Sequence, residues 1–155
     1  MCTGLPEVAL APGDSLMIEG ESGGPLYVLI EGTVCVTKGG VEVARVSAPG
    51  ALFGEMSALL DLPISATVTA AEPVRAYRSA DPLGLIASSP QLAVHTARLL
   101  AERLHNATTY LADLKAQFQD QSDHFAMMDR ILDAMLESQP RYEGPARRPA
   151  NDPRL

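Results

Sequence analysis

From Leu5 to about Tyr77 the apolar residues of this chain come in short runs divided by glycine and proline. After Ser79 they settle into a helical period. Pro12-Gly13-Asp14 predicts a turn and Leu16–Ile18 a short strand. Glu19 to Gly24 is acidic and glycine-rich, which predicts a loop. Leu26–Ile30 is a continuous apolar run of strand type, closed by Glu31-Gly32. Thr33–Thr37 continues as a strand, and Lys38-Gly39-Gly40 marks a hairpin. Val41, Val43 and Arg45 then alternate with Glu42, Ala44 and Val46, a partly amphipathic strand. Pro49-Gly50 turns the chain again, and strands at Thr67–Ala70 and Val74–Tyr77 flank the turn Ala71-Glu72-Pro73. Short strands at roughly 8–12-residue spacing, with no helix between them, predict a closed sandwich or roll.

The second half is helical. Asp81–Ala87 predicts a short helix, and Ser89-Pro90 opens a long one, with Ser89 as N-cap and Pro90 at the first helical position. Ala93, Ala97, Leu100, Leu104, Ala107, Leu111, Leu114 and Phe118 follow alternately four and three residues apart. The same register continues through Gln121, Phe125, Met128, Leu132 and Met135. A 3.5-residue repeat is the pattern of a coiled-coil seam. One unbroken helix from Pro90 to Gln139 would be roughly 75 Å long, more than so small a β-domain can cover. The stripe therefore either folds back on its own domain or pairs with a second copy. Gln121 lies beside Asp120, Ser122 and Asp123. That polar cluster either sets the register or breaks the helix, with Ser122 capping a second segment from Asp123 to Glu137; the break is the favoured reading. Beyond Glu137 the chain reads Ser-Gln-Pro and then a proline-punctuated, apolar-poor segment from Arg141 to Leu155, which predicts disorder. The expected divisions are 1–88, 89–139 and 140–155.

One stretch carries candidate chemistry: Phe53 to Val68, FGEMSALLDLPISATV. Gly54 lets the backbone approach whatever it faces. The apolar segment Met56–Leu60, stopped by Pro63, can form a helical turn whose free N–H groups suit an anion. Ser65 and Thr67 supply hydroxyls from the following run, and Glu55 can accept bonds from hydroxyls.

This stretch resembles the phosphate-binding cassette of cyclic-nucleotide-binding domains. PGDSLMIEGESGGPLYVLIEGTVCV is similar to the front half of the same β-roll, where glycines close the turns held here by Gly13, Gly20 and Gly32. The resemblance covers about Val8 to Arg78. It implies a mainly β plus α fold, a jelly-roll-like β-roll of the cyclic-nucleotide-binding type followed by a long C-terminal helix. It implies that Gly54 and Glu55 meet a ribose, and that an arginine after the proline grips a cyclic phosphate. Here that position holds Ile64, which offers an anion nothing. The candidate ligand residues are Gly54, Glu55, Met56, Ser57, Ser65, Ala66 and Thr67. Thr108 or its neighbour Thr109 joins them, since polar helix residues meet the base in similar proteins. Arg45, Arg75 and Arg78 are the candidates for a replacement cation. The resemblance further implies a homodimer through Ala97, Leu100, Leu104, Ala107, Leu111, Leu114 and Phe118. In catabolite-activator relatives a hinge and a DNA-binding module follow the long helix. No recognition-type helix follows Glu137, so the expectation is a sensor module whose output protein is a separate chain.

Charge narrows the classes. The 155 residues carry a formal charge of −7; four arginines against Glu143 and Asp152 make the segment from Pro140 onward locally +2, which leaves −9 on residues 1–139. A nucleic-acid-binding surface would need a basic patch instead. There is no apolar run of membrane-spanning length and no signal-peptide pattern at the N-terminus, so the expected compartment is the cytoplasm. Cys2 and Cys35 show no metal-ligand or CxxC spacing, and Cys35, between Val34 and Val36, reads as a small strand residue. His95, His105 and His124 are isolated and read as solvated or packed. No nucleophile–base pair, metal set or phosphate loop of nucleotide hydrolases is present. The expectation is a regulatory module with no catalytic residues, metal or cofactor, which binds a cyclic nucleotide weakly or takes a substitute. The alternative is a dimerising scaffold whose roll has lost its ligand.

Overall fold

Glycine turns and short apolar runs resolve into eight strands in a computed structural model that describes residues 4–118 and 122–137, and for 122–126 the backbone alone. The strands are β1 (Glu7–Leu10), β2 (Ser15–Met17), β3 (Leu26–Glu31), β4 (Val34–Lys38), β5 (Val41–Val46), β6 (Leu52–Phe53), β7 (Thr67–Ala70) and β8 (Val74–Ser79). They form two four-stranded antiparallel sheets, ordered β1-β8-β3-β6 and β2-β7-β4-β5. This is the β-roll that the strand spacing and the resemblance predict. The expected strand at Leu16–Ile18 instead ends at Met17, where its register against β7 shifts. β6 is two residues long and too short to show a period.

The apolar core gathers side chains of both sheets, among them Leu16, Met17, Tyr27, Leu29, Val34 and Val68. β5 departs from the alternation read in the sequence. Val41 and Val43 stand largely exposed, while Ala44 and Val46 of the same strand line the roll's interior. Gly32 joins β3 to β4 at φ +94°, and a Cβ there would stand 2.3 Å from the Pro73 carbonyl oxygen. No other residue fits that turn.

Four helices follow the apolar periods: α1 (Glu55–Leu60), α2 (Pro82–Ser88), α3 (Pro90–Gln117) and α4 (Ser122–Glu137). Asp81 caps α2 by accepting from the Gly84 N–H at 3.0 Å. Ser89 caps α3, its hydroxyl accepting from the Leu92 N–H at 3.3 Å. The first turns of α3 are tied to the roll: Leu92 and Thr96 are buried, and His95 Nε2–H donates to the Gly50 carbonyl at 2.9 Å.

The chain divides into two compact units, Met1–Arg103 and Leu104–Leu155. Within the second, Lys115 and Asp129 form a direct ion pair. Fourteen residues of straight helix would hold them roughly 21 Å apart, so the chain reverses between α3 and α4. One continuous helix to Gln139, the longest reading of the seam, is not what forms. Leu111, Leu114, Met128, Leu132 and Met135, all on the seam register, are half-buried, while Leu104 and Phe118 are exposed. The polar residues at 120–121, Cys2 and the segment from residue 138 lie outside the described residues. Among those described, no helix is long and apolar enough to cross a membrane.

Candidate functional site

At the end of β6 the chain turns through Gly54 at φ +97°. A Cβ there would stand 2.6 Å from the Pro25 carbonyl oxygen and 3.0 Å from Met17 Cε, so the approach requires glycine. The turn brings Glu55, the first residue of α1, inward, where only 2% of it remains exposed. Beside it lies a cavity of about 340 Å³. Met17 of β2, Val36 of β4, and Ala44 and Val46 of β5 form one side. Leu52, Phe53 and α1 residues Glu55 to Ser57 form another, with Ile64, Ser65, Ala66 and Val68 closing it.

One further side chain enters from α3. Arg103 Nη1 donates to Glu55 Oε1, and Nη2 donates to the Leu52 carbonyl at 2.8 Å. The two partners differ in exposure, 42% for the Arg103 side chain and 3% for that of Glu55. Glu55 and Arg103 are the charged residues that line the cavity, and they cancel. An isolated carboxylate this deep would be strongly unfavourable; the guanidinium offsets that cost and fastens α3 to the roll. Among the described residues only Oε1 of Glu55 takes a bond, yet no buried side-chain polar atom lacks a partner.

Six residues named from the sequence, Gly54, Glu55, Met56, Ser57, Ser65 and Ala66, line this space. Ser57 is already engaged, its hydroxyl donating to the Leu62 carbonyl at 2.5 Å and closing the end of α1. Thr67 does not line the cavity; its hydroxyl accepts from the Glu19 N–H at 3.0 Å. Thr108 belongs to the second unit, where its hydroxyl donates to the Leu104 carbonyl at 2.8 Å. Ile64 is 6% exposed and packs in the apolar core. Its amide donates to the Glu21 carbonyl and its carbonyl accepts from the Gly20 amide, each at 2.8 Å.

None of the three arginines considered as replacement cations lines the cavity. Arg45 pairs with Glu42 at 2.7 Å, Arg75 with Glu7 at 2.7 Å and Glu31 at 3.0 Å, and Arg78 sits in β8 opposite Tyr27. Lys38 bonds the Ser65 carbonyl at 2.6 Å but does not line the cavity. Arg103 was not singled out by sequence reasoning. The one available signal was indirect: a buried Glu55 demands a counter-charge from whatever element covers it.

A second cavity of about 330 Å³ lies beyond Ser57, lined among others by Gly24, Asp61, Pro63 and Asp81. It offers two carboxylates and no cation, the wrong sign for an anionic ligand. On β4, Cys35 points away from Val34 and Val36 by strand alternation. Its thiol is pushed above the usual range, first by the neighbouring Glu42 carboxylate and then by desolvation. Glu42 is held below the usual carboxylate range, chiefly by Arg45. No cluster of three or more metal-ligating side chains occurs among the described residues.

Comparison with known proteins bears on the β-roll as a whole. Residues 7–80 match the family model described as cyclic nucleotide-binding domain. A CRP-like cAMP-activated global transcriptional regulator of Mycobacterium tuberculosis is 32% identical over 117 residues, covering 71% of this chain and 52% of that protein. The catabolite activator protein of Thermus thermophilus superposes with a TM-score of 0.61 at 33% identity, over 72% of this chain and 55% of that one. The N-terminal domain of a transcriptional regulator from Streptomyces coelicolor gives a TM-score of 0.51 at 33% identity, over 68% of this chain and 80% of that one. The chain thus spans about half the length of the curated mycobacterial relative.

Proposed function

Because the chain belongs to the cyclic nucleotide-binding domain family, we propose that it is a non-enzymatic regulatory sensor module with weak or altered cyclic nucleotide binding. The observation that carries this reading is the cavity beside buried Glu55, in which Ile64 holds the arginine position and Arg103 is already paired. A ligand there has hydroxyl acceptors and apolar walls to meet, but, among the described residues that line it, no unpaired cation. A charge-assisted bond contributes about 1.5–3 kcal/mol, so its loss weakens a cyclic phosphate roughly ten- to a hundred-fold. The acidic balance of residues 1–139 opposes an anion further.

Assembly is part of the proposal. Leu104, Tyr110 and Phe118 are exposed in the second unit, two of them on the seam, which supports a homodimer formed through that stripe. A ligand-free dimerising scaffold is the second reading, and the burial of Ile64 in the apolar core is the observation that favours it.

Calorimetric titration of wild type and Ile64→Arg with cyclic AMP and cyclic GMP is the test. The expected result is weak or absent binding by wild type and about ten-fold or greater gain in the variant. Low-micromolar binding by wild type would overturn the altered-binding reading. A folded Ile64→Arg variant that gains nothing would favour the scaffold.

A further inference from the structure

The apolar repeat of the second unit has two claimants. Leu111 and Leu114 of α3 and Met128, Leu132 and Met135 of α4 belong to one 3.5-residue register. On a single continuous helix both sets would face a second copy. The Lys115–Asp129 ion pair instead lays α4 alongside the last turns of α3. Leu111 and Leu114 are half-buried there. So are Met128, Leu132 and Met135, whose spacing of four and three places them on one face of α4. Leu104 and Phe118, before and after them on the same stripe, remain 51% and 52% exposed. The stripe of α3 is therefore covered where α4 lies, and the residues of α4 that lie there carry the period expected of a partner strand.

A seam side chain fills one hole in one facing helix. While α4 covers Leu111 and Leu114, the α3 of a second copy reaches only the part of the stripe left open, around Leu104. We propose that α4 masks, within each copy, the Leu111–Leu114 part of the stripe through which two copies pair, so that releasing α4 tightens the homodimer. This rests on the homodimer reading above and gives that surface a second, competing occupant from the same chain. The mask is lightly held. The side chains of Lys115 and Asp129 are 39% and 49% exposed, and a pair that open to water contributes little. The rest falls to a few half-buried apolar residues, so a small change in α4 shifts the balance between the masked and open forms.

Sedimentation equilibrium of the full chain is the test, with circular dichroism to show that each variant keeps its helix content. Asp129→Lys sets two ammonium groups against each other, and Leu132→Asp puts a carboxylate on the covered face of α4. The charge swap Lys115→Asp with Asp129→Lys restores the attraction. Both copies must open to share the whole seam, so the effect of a variant enters squared: about three-fold per copy becomes about ten-fold in the dimer dissociation constant. Asp129→Lys and Leu132→Asp should each tighten the dimer about ten-fold or more, and the charge swap should return it to within about three-fold of wild type. A dimer left unchanged or weakened by Asp129→Lys and Leu132→Asp overturns the mask and leaves the homodimer standing, since α4 then either joins the interface or lies apart from it. If wild type and every variant sediment as monomers at micromolar concentration, the homodimer reading fails and the mask with it.

Discussion

Arg103→Met should destabilise the protein more than Glu55→Gln, although the two changes remove the same ion pair. The asymmetry follows from exposure. Removing Arg103 leaves the Glu55 carboxylate at 3% side-chain exposure with no counter-charge, whereas removing the carboxylate leaves a guanidinium at 42% that can turn to water. Breaking a fully buried pair from one side costs about 3–5 kcal/mol. The half-open guanidinium reduces this, and about 1–3 kcal/mol is the expected loss for Arg103→Met. Glu55→Gln keeps an acceptor for the guanidinium and should cost less than about 1 kcal/mol. At about 2–4 °C per kcal/mol for a chain of this size, the melting temperature should fall by roughly 2–12 °C in the first variant and by about 4 °C or less in the second. The double variant should recover part of the loss, because it no longer buries an unpaired charge. Thermal melts followed by circular dichroism, with urea titrations as a check, read all three. If Glu55→Gln falls as far as Arg103→Met, the carboxylate is not the group that needs compensation and the reasoning fails.

Two further outcomes test other parts of the molecule. Sedimentation should find a homodimer at micromolar concentration, and Leu104→Asp should convert it to monomer by placing a charge in the proposed seam; a monomeric wild type would remove the dimer. In a Cys2→Ser background, Cys35 should react with iodoacetamide at pH 8 more slowly than a free cysteine, because the neighbouring Glu42 disfavours its thiolate. Glu42→Gln should speed that reaction, and an unchanged rate would show that the carboxylate does not act on the thiol.

Local features of this site were legible because they are contiguous. Gly54, Glu55 and the turn of helix after them sit within a few residues, and each announces its role by type: no Cβ where Pro25 approaches, a carboxylate at a helix start, a proline at its end. The strand-turn-strand rhythm was legible for the same reason, since glycines with positive φ punctuate the roll. What period alone could not show was which face of a strand or helix finds a neighbour. Val41 and Val43 alternate as a half-buried strand should, yet it is Ala44 and Val46 that face the interior, and the first two valines remain exposed. The seam of α3 reads as one coiled coil, yet the Lys115–Asp129 pair reverses the chain after it.

Arg103 is the sharpest case. It lies 48 residues from Glu55 and between two seam leucines, where a charged residue is ordinary helix surface. Arg45, Arg75 and Arg78 were closer in sequence to the cassette, but the first two have carboxylates beside them on the outer surface of the roll, so proximity along the chain favoured the wrong cations. Finding Arg103 required the azimuth of α3, which is fixed by burial of Leu92 and Thr96 and by His95 on the Gly50 carbonyl, not by any property of residue 103 itself. Ile64 was visible as a missing cation from the sequence. That the cavity also has no spare one follows only once the guanidinium from α3 is seen already spent on Glu55.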